Sequence, residues 1–266
     1  MRRIGRSPLV WGLIGLLGVS VVSALTSSGP VPAVVGAVAA VAVYWAVMRL
    51  VAGRATPEIA WRGARREALH GAGIGLGFVL ASVLLITVAG GYSFSWSSES
   101  FLPVVFTVAA TTAGAAVTEE LMFRGLALQG LEQLYGSRAA LVVTGLLFGA
   151  IHLFNPGATL WSSLAIALEA GVLLGAAYLW RRSIWFVVGL HFAWNVAEGL
   201  LGIPVSGHAS PGLLVVEVTG PMALTGGGFG LEASIVPVLV SVLLAVPMLV
   251  LARRSGHLVR RRRGRR

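Results

Sequence analysis

The chain has 266 residues, 56% of them hydrophobic and only 11% charged, with a mean hydropathy of +0.86. Soluble domains carry about 25% charged residues, so the composition excludes an ordinary water-soluble domain and indicates a polytopic membrane protein. All twenty basic residues are Arg, all ten acids are Glu and the net charge is +10. No nucleic-acid-binding motif accompanies that charge, and the absence of Cys excludes disulfides, Cys-ligated zinc and a thiol nucleophile.

A transmembrane helix takes about 20 mostly apolar residues. The apolar runs supply eight, near 8–27, 31–51, 70–91, 101–127, 138–155, 159–180, 183–202 and 234–252. The expected fold class is therefore all-α, a polytopic membrane helix bundle of about eight transmembrane helices. The first run follows a basic start that resembles a signal peptide, but it is long enough to span and reads as an uncleaved helix. Between the second and third runs, Thr56 and Pro57 suit the start of a short surface helix. "YGSR" (135–138) joins helices four and five, with Gly136 as a stop and Ser137 as an N-cap. "FNPG" (154–157) closes helix five.

The arginines test this layout. They flank helix one (Arg2, Arg3, Arg6), follow helix two (Arg49, Arg54, Arg62, Arg65, Arg66), sit near the turn after helix four (Arg124, Arg138), follow helix six (Arg181, Arg182) and follow helix eight (eight residues from Arg253 to Arg266). With eight spans all fall on one side, which the positive-inside rule makes cytoplasmic. The expected localisation is a multi-pass cytoplasmic (inner) membrane with both termini cytoplasmic. The chain divides into 1–100, holding helices one to three and an interfacial segment 54–69; 101–202, helices four to seven; and 203–266, an outer loop, helix eight and a basic tail. The outer loop, about 203–233, is rich in Gly and Pro and can fold back on the outer surface.

"TEELMFRG" (118–125) places three charges in an apolar run, where each costs roughly 2.5 to 17 kcal/mol at the bilayer centre. Glu120 and Arg124 are four apart and can pair. Glu119 points about 100° away and has no local partner, so it is a candidate general base; the alternative is a packing salt bridge with Glu119 as bystander. His152 on helix five follows Phe148 by four residues. His191 and Asn195 on helix seven share one face, with Glu198 a turn further on. Singly, each reads as readily as a core or helix-bridging group. Together they put a carboxylate, two imidazoles and an amide on three helices, and intramembrane polar groups face the bundle interior. Such a set can activate water with or without a metal. One obstacle is depth: from their arginine-side ends, Glu119 and His152 lie about 22–27 Å in and His191 only about 12 Å, so helix four must project or helices must tilt.

"EELMFRG", "FGAIH" and "HFAWN", in that order on successive helices, resemble the three signature motifs of the CPBP family (CAAX prenyl protease and bacteriocin-processing, also called Abi) of intramembrane endopeptidases. "GVLLGAAYLWRRSIWFVVGLHFAWN" is similar to the family's helix six to seven segment, and the likeness spans about 100–200. It implies that 101–202 is a catalytic core. Glu119 with His152 would activate water, His191 and Asn195 would serve the oxyanion, and Glu120 and Arg124 would be supporting residues. It implies no cofactor, or a divalent metal such as zinc held by Glu119, His152 and His191. The implied partners are a membrane-associated peptide or protein substrate and the lipid bilayer, with no nucleic acid. The alternative is a catalytically idle membrane scaffold or bacteriocin self-immunity protein of the same family. A transporter would show repeated halves or broken helices, and none is evident.

Overall fold

The computed structural model describes residues 7–260. Among these, seven helices are long and apolar enough to cross a membrane: α1 (Pro8–Leu25), α2 (Pro30–Val51), α3 (Ala64–Val88), α4 (Phe101–Tyr135), α5 (Ser137–Phe154), α6 (Leu160–Arg181) and α8 (Ile235–Arg254). The eighth, α7 (Ile184–Leu200), has 17 residues. At about 1.5 Å per residue it spans some 25 Å, a little under a bilayer's hydrocarbon thickness. Its shortness is tolerated because it is an interior helix, buried along most of its length between α3 and α4.

Helix starts follow the local chemistry. Pro8 and Pro30 open α1 and α2, positions where a missing N–H is harmless. Thr159 caps α6 in a capping box: its hydroxyl accepts from the Ser162 amide at 3.0 Å, and the Ser162 hydroxyl accepts from the Thr159 amide at 2.8 Å. Ser183 and Ser234 cap α7 and α8.

Three expectations change. The surface helix over 54–69 shrinks to a 3₁₀ turn, Pro57–Ile59, and Thr56 makes no capping bond. Residues from Ala64 onward belong to α3, which begins after the left-handed Gly63 and meets no helix breaker before Val88. At the α4–α5 turn Gly136 does stop the helix, but the Ser137 hydroxyl donates to the Glu132 carboxylate instead of capping α5. Finally, α4 runs on to Tyr135, so Arg124 is a mid-helix residue, 2% exposed, and not part of the turn that follows.

The two ends of the bundle differ. At one, Arg54 bonds Glu58 and Gln129, Arg181 bonds Glu67, Arg182 bonds Glu132, and the Ser137 amide donates to Val259. The connections carrying these arginines therefore meet at a single end, as an even number of crossings requires. Arg2, Arg3, Arg6 and Arg261 onward, most of the basic tail, lie outside the described residues. At the opposite end the long loop folds back: β2 (Leu214–Val218) pairs antiparallel with β1 (Tyr92–Trp96), Tyr92 opposite Val218. This small sheet was not foreseen, and it leaves the all-α bundle intact.

Helices α3 and α7 approach backbone to backbone. A Cβ on Gly71 or Gly75 would sit 1.9 Å or 2.2 Å from the Phe186 or Leu190 carbonyl oxygen, and one on Gly189 2.1 Å from that of Ala68. Small residues permit such contact in membranes, where packing drives association. The contact fixes α7 through the turn just before His191.

Candidate active site

Glu119, His152, His191 and Asn195, which the sequence placed on three helices, all line one cavity of about 470 Å³. Glu120 does not. It is fully buried, and its Oε1 accepts from Arg124 Nη1 at 3.0 Å and from His191 Nδ1 at 2.9 Å. The expected Glu120–Arg124 pair is present, and Glu120 also orients an imidazole of the site. Glu119, about 100° round the helix, faces the cavity with no hydrogen-bond partner among the described residues.

Two π-helical stretches make this possible. One, Leu121–Leu128, follows Glu120 directly and contains Arg124; the other, Ala167–Leu174, lies in α6. Bonding to the fifth residue widens the turn and frees carbonyls from the α-helical ladder, an arrangement that recurs at functional sites. Arg124 bridges the two stretches: its Nη2 donates to the Ala170 and Gly171 carbonyls, the latter at 3.2 Å. Its guanidinium also lies over the Phe148 ring, 4.9 Å from the centroid, a contact worth about 2 kcal/mol or more when desolvated. The sequence offered no sign of either stretch. They also answer the depth problem, since α4 does project, and a wider turn climbs less per residue.

His152 sits where α5 tightens into a 3₁₀ turn, His152–Phe154. Its Nδ1 lies 2.6 Å from the Phe148 carbonyl oxygen. A carbonyl only accepts, so Nδ1 carries the proton, and Nε2 of the neutral ring keeps its lone pair. His191 is held likewise through Nδ1 by Glu120. Each ring therefore has one fixed nitrogen and one free. The Asn195 amide, 9% exposed and one turn beyond His191, has no side-chain partner among the described residues.

The cavity also has walls that sequence reasoning missed. Thr107, Thr111 and Thr112 of α4, Asn155, residues 205–206 and 208–210 of the outer loop, and Glu232 complete it. Glu232 accepts from the Ser206 amide and hydroxyl, both at 3.0 Å; burial pushes its carboxyl up to about 7, against the opposing pull of the Ser206 bonds. Its only signal was one charge in a Gly-rich loop. Glu169 and Glu198 are fully buried but stay outside the cavity lining, Glu198 accepting from Trp194 Nε1 at 2.9 Å.

Residues 99–197 match the family model described as Type II CAAX prenyl endopeptidase Rce1-like. This segment is similar to that family. It covers α4 to most of α7 and includes all three motifs on which the resemblance to the CPBP family was drawn. No curated protein and no solved structure matches the chain. The seven long apolar helices among the described residues make this an integral membrane protein, and the segment 99–197 is similar to a protease family. As for zinc, no three His or Glu side chains among the described residues come together closely enough to hold a metal ion. Glu119, His152 and His191 as placed do not fit one, and no step below is routed through a metal.

Proposed function

We propose that the protein is an intramembrane endopeptidase whose attacking water is activated by Glu119 and His152. The observation that carries this reading is the shared cavity: four polar groups from three helices open onto it, while Glu120 and Arg124 are sealed beneath. Water held between the Glu119 carboxylate and His152 Nε2 attacks the scissile carbonyl carbon. One water proton passes to Glu119, the new C–O bond forms, and the carbonyl electrons move onto oxygen. His191 and Asn195 donate to that oxyanion. Because His191 Nδ1 already donates to Glu120, donation from Nε2 requires the imidazolium, which the Glu120 carboxylate stabilises. Collapse then breaks the C–N bond, and Glu119 returns its proton to the leaving amine. Preorganised donors in a dry site are the largest single contribution in such chemistry.

The test is turnover of a membrane-anchored peptide library by reconstituted protein. Glu119→Gln keeps the shape and removes the base, and should lower turnover by about 10²–10⁴ with folding intact. Asn195→Ala should cost about 10²–10³, the usual loss for one oxyanion donor. A chelator should leave wild-type turnover unchanged. Wild-type rates in Glu119→Gln would refute the base assignment; loss on chelation with recovery on added zinc would replace it by a metal mechanism.

A further inference from the structure

The cavity has a direction. Its exposed lining residues are Thr107 and Thr111 on the first half of α4, Ile151 at the end of α5, and His208, Ala209 and Ser210 in the loop. All lie toward the arginine-poor end. Toward the arginine end, buried Phe148 lines the floor and buried Glu120 and Arg124 lie beneath it. Next to the mouth, Phe154 is 91% exposed, and the first part of α4 packs mainly on α2 and α7 and hardly on α5. The mouth therefore opens both to the surface and sideways toward lipid.

The cavity also has a sign. Among the described residues, Glu119 and Glu232 line it and no arginine does. The nearest guanidinium, Arg124, is committed to Glu120 and two carbonyls below the floor. Outside the mouth, the same end carries Glu99 and Glu217. An anionic chain end would meet the Glu119 and Glu232 carboxyls and no guanidinium, and the His191 imidazolium is already faced by Glu120; like-charge juxtaposition is strongly disfavoured.

From direction and sign together we infer that the cavity is reached from the extracytoplasmic side and takes an internal, uncharged or cationic polypeptide segment, not a free C-terminal carboxylate tail presented in the cytoplasm. This rests on the hydrolytic reading above and on the arginine end being cytoplasmic. The substrate class is a membrane-anchored polypeptide whose scissile bond lies near the outer leaflet, with chain on both sides of it.

The native chain has no cysteine, so single-cysteine variants report sidedness directly and without activity. An impermeant thiol reagent applied to intact cells should label Ser210→Cys at the mouth and leave Arg65→Cys unlabelled until the membrane is opened. The charge arm uses one peptide cut three residues before its end, as amide and as free acid, offered to proteoliposomes. The amide should be turned over at least about tenfold faster. Labelling of Arg65→Cys from outside, or equal or faster turnover of the free acid, would overturn the inference. If Glu119→Gln hydrolyses the amide as wild type does, it is the hydrolytic reading that fails, and the labelling result stands apart from it.

Discussion

The two ends of the bundle treat charge in opposite ways. At the arginine end every buried carboxylate has a cation: Glu58 takes Arg54 at 2.9 Å and Glu132 takes Arg182 at 2.6 Å, while Glu67 is forked by Arg181. With the Arg54 bond to Gln129, these pairs join the loop after α2 to α4, α3 to α6, and the α6–α7 turn to α4. Toward the cavity end Glu119, Glu169, Glu198 and Glu232 have no basic side chain bonded to them among the described residues. Both oxygens of Glu169 lack any partner there. Unpaired acids in a membrane are expensive, so their concentration at one end separates a fastened base from a chemically poised mouth. Glu120 lies on the boundary: paired like the base, yet aimed at a site imidazole.

That boundary residue is where the contrast can be broken hardest. Glu120→Gln would leave Arg124 buried with only carbonyls to bond, and removing one partner of a buried ion pair costs about 3–5 kcal/mol. The expected outcome is a clear fall in the thermal midpoint of the detergent-solubilised protein, with lower yield. A midpoint matching wild type would mean that Glu120 is poised like the mouth acids and not fixed like the base. A smaller effect is expected at the base itself. Arg182→Ala removes a two-pronged bond to Glu132 and a bond to the His257 carbonyl. The pair is partly solvated, so about 1–3 kcal/mol is the expected loss. Turnover of the folded fraction should not change; a selective loss of turnover would show that the two ends are coupled.

Much of this contrast was legible in the chain itself. Arginine placement alone predicted that the charged connections share an end, and Arg54, Arg181 and Arg182 do meet there. The spacing of Glu120 and Arg124 predicted their pair, because i, i+4 contact is local geometry. What stayed hidden depends on non-local packing. The two π stretches are tied together by Arg124, which bonds carbonyls on another helix, 46 and 47 residues away. The β1–β2 pair joins segments more than a hundred residues apart, and "YSFSW" is too short to declare itself. Glu120's bond to His191 was missed for the same reason, since a carboxylate with one local partner appears already satisfied. Glu232 entered the cavity through a loop whose glycines allow many paths.

Glu232 gives the finest test, because it is the mouth acid whose charge changes near neutrality. Its carboxyl is held at about 7, above the ordinary glutamate value of 4.5, with burial as the main cause. The groups around it are Ser206, which donates to it, neighbouring Glu198, more distant Glu169 and the His191 ring. A raised acid binds its proton more tightly in the folded state. Below about pH 4.5 both states are protonated and Glu232 contributes no pH dependence. Between about 4.5 and 7 the unfolded chain loses its proton while the folded protein keeps it, so stability falls as pH rises. Above about 7 both are ionised and the dependence levels off. Glu232→Gln replaces the protonated acid by a neutral amide of similar shape, and should flatten the decline in thermal midpoint across that window. The Arg182→Ala variant at the base should keep the wild-type slope. An unchanged slope in Glu232→Gln would mean that the mouth acids are as firmly settled as the paired ones, and the distinction between the two ends would reduce to the presence of arginine.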